Sequence, residues 1–226
     1  DLLDNAADVD DADSSLVVGE VQGAGGNVGS AVTITLSYTD ADSNGQTQDI
    51  DLTVNADGSY SIAAVDLDDL PNGNNATGSF TYLVEDDDGG QSSTETANIT
   101  IAGTNDAPTL TAGSVSDDED ALEAGITVNA ATSDLLDNAA DVDDVDSSLV
   151  VGEVNGDSGN VGSAVTITLS YTDADSNATT QDIDLTVNAD GSYSIAALDF
   201  DALPNGSNAT GSFTYLVEDD DGAQSS

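Results

Sequence analysis

The segment AVTITLSYT, residues 31–39, alternates apolar and polar side chains at almost every step. Val32, Ile34, Leu36 and Tyr38 fall on one face, and the threonine and serine hydroxyls fall on the other. A period of two is expected of a strand with one face in a core and one in water. The segment therefore predicts a half-buried β-strand.

The same alternation recurs on both sides of this segment. The Asp57-Gly58 pair between two of the alternating runs is a strong hairpin signal. DLLDNAA, residues 1–7, is the one stretch compatible with a helical turn. The pattern predicts an all-β fold, an antiparallel β-sandwich of about eight strands per module. Besides 31–39, the predicted strands cover residues 16–21, 50–54, 60–62, 80–84, 97–101, 110–115 and 126–128.

The chain is a near-copy of itself with a period of 133 residues. Residues 1–93 align without a gap to residues 134–226, and 82 of the 93 aligned pairs are identical. A period this long indicates tandem folded domains, because solenoid repeats are roughly 20–50 residues long. A module of 133 residues can bury one core.

The segment GTNDAP, residues 103–108, sets the expected domain boundary. Pro108 lacks an N–H group and suits the start of an edge strand. We expect one β-sandwich module over residues 1–104, which lacks its first strands, and a second over 105–226, which lacks its last strand. Two explanations stay open. Either the chain is a window on a longer array, or a strand is donated between molecules.

The charge of the chain is entirely negative. The sequence has 45 Asp and Glu, no Lys, Arg or His, and a formal net charge of −45. Such a field repels nucleic acid and anionic lipid, so we expect neither partner. No run approaches the roughly 18 apolar residues of a membrane span, so direct membrane insertion is not expected. The carboxylates must be solvated or neutralised by bound cations, and we expect cations to improve folding.

The composition also argues against an enzyme. Without His, Cys, Lys or Arg, most general bases, thiol nucleophiles and cationic stabilisers of an oxyanion are missing. Paired carboxylates serve glycoside hydrolysis, but the acidic clusters have no aromatic sugar platform beside them. We therefore expect a non-catalytic protein.

Four motifs resemble bacterial VCBS and cadherin-like repeats. They are DLLDNAADVDDVDSSLVV (134–151), LTVNADGSYSI (52–62), FTYLVEDDDGGQSS (80–93) and GTNDAPTL (103–110). The resemblance implies tandem immunoglobulin-like or cadherin-like sandwiches in a giant, secreted surface protein such as an RTX adhesin. In that family many copies form a calcium-stiffened stalk on the bacterial cell surface.

Closely spaced carboxylates on loops are the ligands that Ca²⁺ takes, since it binds about six to eight oxygen atoms. Acidic clusters lie in the linker, in residues 117–120, and in the loops of residues 141–146 and 218–221. The two loops have copies in the first module. The predicted calcium ligands are Asn105, Asp106, Asp219, Asp221, Asp141, Asp143 and Asp146, with the first-module copies Asp86, Asp88, Asp8, Asp10 and Asp13.

Topology narrows the choice of ligands. In an end-to-end array the last strand of a module runs towards the outgoing linker, so the loop before it lies at the incoming pole. This places Asp219 and Asp221 beside Asn105 and Asp106, as an inter-domain calcium site. Whether the loop that begins at Asp141 joins them depends on which long connection crosses the sandwich, and the sequence leaves that open.

Three functions follow from these features. The first is a calcium-stiffened extender that holds a distal adhesive domain away from the cell, with neighbouring repeats of the same chain as its partners. The second is a segment of an extracellular filament in which other copies are joined by strand donation. The third is a binding module for a carbohydrate or a protein.

Overall fold

The computed structural model describes residues 1–10, 12, 15–130 and 134–226. The chain divides into unit 1, Asp1–Thr104, and unit 2, Asn105–Ser226. Asp13, one of the predicted ligands, lies outside the described residues.

Unit 1 is built from antiparallel strands. They are β1 (Val17–Val21), β2 (Ala31–Thr39), β3 (Gly45–Val54), β4 (Tyr60–Ile62), β5 (Asn75–Glu85) and β6 (Glu95–Ala102). The strand order is β1-β5-β2-β3-β4, and β6 also pairs with β5. Strand β5 pairs with β6 over its first part and with β1 over its last part, and a single pair, Ser37 opposite Thr77, joins it to β2.

The alternation of residues 31–39 decides how β2 packs. Ile34 and Leu36 are 3% and 0% exposed, and Ile34 lies opposite Ile50 of β3. On the outer face, the hydroxyl of Thr35 donates to Asp49 Oδ1 at 2.6 Å. The inner face meets residues of β1, β5 and β6 in one core that includes Val18, Phe80 and Ile99. The predicted strand and its buried face are confirmed.

Unit 2 repeats part of this arrangement and adds an N-terminal segment. Its strands are β7 (Thr109–Leu110), β8 (Ile126–Val128), β9 (Ala139–Ala140), β10 (Val150–Val154), β11 (Ala164–Thr172), β12 (Ala178–Val187), β13 (Tyr193–Ile195) and β14 (Tyr215–Glu218). They form three antiparallel sheets, β11-β12-β13-β8, β10-β14 and β7-β9. Among the described residues, β10–β14 repeat β1–β5, with the last strand shortened, and β6 has no counterpart. Unit 2 has its own core, which includes Val151, Leu185 and Phe200.

The structure differs from the sequence-based expectation between residues 110 and 125. A strand was expected over 110–115, but strand geometry ends at Leu110. A helix, α1 (Glu119–Ala124), follows instead, and the alternation did not predict it. The carboxylate of Asp118 accepts a hydrogen bond from Ala121 N at 2.9 Å and caps the helix. Gly125 ends it with φ of +82°, and Leu122 turns its side chain into the core.

The fold is therefore an antiparallel β-sandwich in each unit, and the predicted all-β class is confirmed. The expected helical turn at residues 1–7 is a hydrogen-bonded turn over residues 2–5 and not a helix. Within the described ranges, no helix has the length and apolarity needed to cross a membrane.

Candidate metal centre

The first residues of unit 2 reach two loops that lie far along the chain. The side-chain amide of Asn105 donates to Asp219 Oδ2 at 3.1 Å. The backbone N–H of Asp106 donates to Asp143 Oδ1 at 3.1 Å. Residues 105–106 thus meet the loop 141–146, which precedes β10, and the loop 219–221, which follows β14. We call these three segments the acidic centre.

The loop 141–146 is folded by its own carboxylates. Asp141 Oδ1 accepts from the N–H groups of Asp143 and Asp144, at 3.1 and 3.2 Å. Asp146 Oδ1 in turn accepts from Asp141 N at 3.1 Å. Aspartate side chains commonly order turns by such bonds to the backbone a few residues on. Asp141 Oδ1 therefore orders the loop, whereas Asp141 Oδ2 accepts no hydrogen bond in it.

The loop 219–221 is ordered in the same way. Asp219 Oδ1 accepts from Asp221 N at 3.0 Å and from Ala223 N at 2.8 Å, and Gly222 closes the turn with φ of +91°. With Asn105 bound to its other oxygen, Asp219 accepts hydrogen bonds on both oxygens although it is 3% exposed. Asp219 thus orders the loop, and its predicted ligation of calcium stays a prediction.

Four oxygens of the acidic centre are buried without a hydrogen-bond partner among the described residues. They are Asn105 Oδ1, Asp141 Oδ2, Asp143 Oδ2 and Asp144 Oδ2. A buried polar atom without a partner typically costs about 1–3 kcal/mol, and a buried charge without one costs more. The side chain of Asp143 is 0% exposed. Because the sequence contains no Lys, Arg or His, no protein side chain can supply the missing positive charge.

Burial shifts the acidity of two of these groups. It raises the pKa of Asp143 to about 6, and the neighbouring carboxylates of Asp141 and Asp106 add to the shift against the hydrogen bond from Asp106 N. Burial also raises the pKa of Asp144 to about 7, with the carboxylate of Asp220 as the next largest cause. Both groups therefore resist ionisation while no cation is bound.

A part of the acidic centre has the spacing of a metal site. Carboxylate oxygens of Asp144, Asp220 and Asp221 all lie within 4.8 Å of one another. These residues can hold a metal ion, and Asp144 also contributes one of the buried oxygens without a partner. The sequence-based ligand set contained Asp221 but missed Asp144 and Asp220. Both residues lie in the same acidic runs as the predicted ligands, and this was the feature of the sequence that could have identified them.

The copies in unit 1 form the same local turns with more exposure. Asp8 Oδ1 accepts from Asp10 N at 3.0 Å, as Asp141 does from Asp143 N. Asp86 Oδ1 accepts from the N–H groups of Asp88 and Gly90. However, Asp10 is exposed and Asp86 is half-buried, unlike Asp143 and Asp219. The counterparts of residues 105 and 106 would precede residue 1, so unit 1 as described does not contain them.

Two other acidic groups have different surroundings. Residues 117–120 start α1, where Asp118 is the cap. Glu123, Asp199 and Asp201 lie close enough together to hold an ion, but all three are exposed. Burial raises the pKa of Glu123, and Asp201 adds to the shift. Neither group contains a buried oxygen without a partner among the described residues.

No protein-family model matches the chain, and no curated protein matches it. Among solved structures, the chain is similar to a crystal structure of a tetra-tandem repeat in the extending region of a large adhesion protein. The identity is 21% and the TM-score is 0.20. The match covers 88% of this chain, and the chain spans 41% of the length of that structure. At this level of similarity the match does not assign a function.

Proposed function

We propose that the chain is a non-catalytic, calcium-stiffened extender segment of a secreted bacterial surface adhesin. The observation that supports this most directly is the set of buried, unpartnered oxygens in the acidic centre. A bound cation would neutralise these oxygens, and the chain has no basic side chain to do so. The adhesin assignment rests on the tandem repeat and on its resemblance to VCBS and cadherin-like repeats.

Calcium fits the donors better than other common metals. Every candidate ligand is a carboxylate or an amide carbonyl, and hard oxygen donors favour Ca²⁺ or Mg²⁺ over zinc or copper. Mg²⁺ demands near-octahedral geometry and keeps several waters, whereas Ca²⁺ accepts an irregular set of about six to eight oxygens. The residues that would hold it are the four with unpartnered oxygens, Asn105, Asp141, Asp143 and Asp144, together with Asp220 and Asp221.

A bound ion would stiffen the protein in two ways. It would bind the folded acidic centre and not the unfolded chain, so that unit 2 gains stability by mass action. It would also hold residues 105–106, which directly follow unit 1 in the sequence, against two loops of unit 2. Linked domains are mobile by default unless their connection is restrained, so fixing these residues removes freedom from the joint between repeats.

The test is calcium titration of a matched pair of variants. Asp143→Asn removes a charge from the buried centre, and Asp10→Asn makes the same change at the exposed copy. We expect the unmodified chain to unfold at a higher temperature in calcium than in chelator. Asp143→Asn should lose roughly tenfold or more of the calcium affinity measured by isothermal titration calorimetry, and Asp10→Asn should lose much less.

Two results would contradict the proposal. If thermal unfolding is the same in calcium and in chelator, the protein is not stabilised by the metal. If calcium binds but the chain has the same solution dimensions by small-angle X-ray scattering in both buffers, the ion does not stiffen the joint. Magnesium at the same concentration is the control for a general effect of divalent charge.

A further inference from the structure

Unit 2 has an open groove with an apolar floor, and the counterparts of the residues that form this floor are more deeply buried in unit 1. The groove has a volume of about 940 Å³ and is lined by core side chains of β11 and β12 and by residues 203–213, with the acidic residues 117–120 at the start of α1 also in its wall. Leu169, Leu203, Ala209 and Phe213 in its wall are half-buried. Their identical counterparts in unit 1 are 0–4% exposed: Leu36, Leu70, Ala76 and Phe80. The same four side chains are therefore buried in unit 1 and partly exposed in unit 2.

Strand β6 is what covers these residues in unit 1. It pairs with β5 along its whole length, from Asn75 opposite Ala102 to Tyr82 opposite Glu95. Ile99 is 8% exposed in the core, and Ala97 and Ile101 pack against the same core. The counterpart of β6 would follow Ser226, since Ser226 corresponds to Ser93.

The strand next to the groove is incomplete in unit 2. Residues 208–218 correspond to β5, but they are an extended ladder only over Tyr215–Glu218. Ahead of it, Thr210 forms a two-bond bridge to Ser170, on the edge that corresponds to the pairing of Thr77 with Ser37 in unit 1. The edge that faces the groove presents backbone groups in the position where β5 binds β6. An edge of this kind is a template for an added strand.

The turn that leads into the groove is already formed. Ser225 N donates to Val217 O at 2.9 Å, as Ser92 N donates to Val84 O at 2.9 Å in unit 1. The bridge between Glu218 and Gln224 likewise repeats the bridge between Glu85 and Gln91. In unit 1, the chain that leaves this turn enters β6 within a few residues.

We propose that the groove of unit 2 is the acceptor for one more strand, carried in the same chain after Ser226. The occupant has small or β-branched apolar residues at alternate positions, as in Ala97, Ile99 and Ile101. It runs antiparallel to residues 208–215 in the register of β5 and β6, which sets its central isoleucine opposite Gly211. This inference does not depend on the acidic centre, because the groove contains none of its residues.

The test appends a copy of residues 94–103 after Ser226 and compares it with the unextended chain, both in saturating calcium. The matched control carries the same tail with the copies of Ile99 and Ile101 replaced by serine, which leaves the charge unchanged. We expect hydrogen exchange at residues 208–214 to slow by roughly tenfold or more with the first tail and to stay unchanged with the control. Equal exchange in all three chains would overturn the proposal.

The source of the strand is tested by the oligomeric state of the extended chain. A monomer with protected residues 208–214 supports an occupant from the same chain. Dimers or fibres of the unextended chain in which residues 208–214 become protected without any tail would instead show donation between molecules. That result would overturn the assignment to the same chain.

Discussion

Asp143 and Asp10 have the same neighbours in sequence and different environments. Both follow the sequence Asp-Val, and both donate their N–H to the aspartate two residues before. Asp143 is nevertheless fully buried and Asp10 is exposed. Asp106, 37 residues earlier in the chain, contacts Asp143 through its backbone N–H. The local sequence therefore shapes the turn, and a distant segment creates the buried carboxylate.

The raised pKa values of Asp143 and Asp144 predict how metal-free stability depends on pH. A carboxyl whose pKa is higher in the folded state favours folding below its unfolded pKa of about 4, and this contribution is lost as pH rises through the folded value. The folded values are about 6 and 7. In chelator, we therefore expect unfolding temperatures to fall between pH 4 and pH 8.

Calcium should reverse this trend, because a bound cation favours the ionised carboxylates. Differential scanning calorimetry measures the slope of the unfolding temperature against pH, once in chelator and once in calcium. Asp143→Asn should flatten the slope in chelator, whereas Asp10→Asn should leave it as it is. A slope that is equal in the unmodified chain and in Asp143→Asn would show that this carboxyl does not carry the effect.

At the scale of elements, identical segments adopt different structures in the two units. Residues 75–81 and 208–214 have the same sequence, NATGSFT. The first is part of strand β5, whereas the second precedes β14 and is not a continuous strand. A strand completes its backbone hydrogen bonds only with a neighbour, so the alternation predicts where a strand can form and not whether its partner is present.

The contact between β5 and β2 depends on a residue without a side chain. A Cβ at Gly78 would lie 2.8 Å from Leu36 Cδ2 and 3.0 Å from Thr35 O. We expect Gly78→Ala to destabilise unit 1 by about 1–3 kcal/mol, because β5 and β2 must move apart to admit a methyl group. Hydrogen exchange of the amides in β2 and β5 measures this loss.

Gly45→Ala is the matched control for that substitution. Position 45 has no heavy atom within 4 Å of a Cβ, and the equivalent residue in unit 2 is Ala178. Its effect should stay within about 0.5 kcal/mol. Equal destabilisation by both substitutions would indicate a general cost of replacing glycine in these strands and not a clash with Leu36.

At the scale of the whole molecule, the net charge of −45 acts on every folded and unfolded state. Self-repulsion of this size opposes compaction, and salt weakens it by shortening the screening length from about 10 Å at 0.1 M to about 3 Å at 1 M. In chelator, we therefore expect added NaCl to raise the unfolding temperature of both units.

Calcium should act at a far lower ionic strength than NaCl. Its effect should saturate, and it should be concentrated in unit 2, where the oxygens of the acidic centre are buried. Thermal unfolding with calcium and with NaCl at matched ionic strength separates site binding from screening. If the two salts raise the unfolding temperature equally at equal ionic strength, calcium acts by screening and not by occupying a site.

The sequence by itself determined most of the strands, the hairpin turns, the repeat and the absence of basic side chains. Each of these depends on residues that are close in the chain or on composition, as the alternation of Ile34 and Leu36 and the turn at Gly58 show. Helix α1 was missed because a short helix is set by its cap at Asp118 and not by periodicity.

Only the tertiary structure decided which acids meet and which strands are completed. Asn105 and Asp219 are 114 residues apart in the chain and are joined by one hydrogen bond. The copies of the acidic loops in unit 1 have almost the same sequence and leave Asp10 exposed. Burial and strand pairing are made by segments that are distant in the chain. Two nearly identical segments therefore differ in burial and in strand pairing when one of them has its packing partner and the other lacks it.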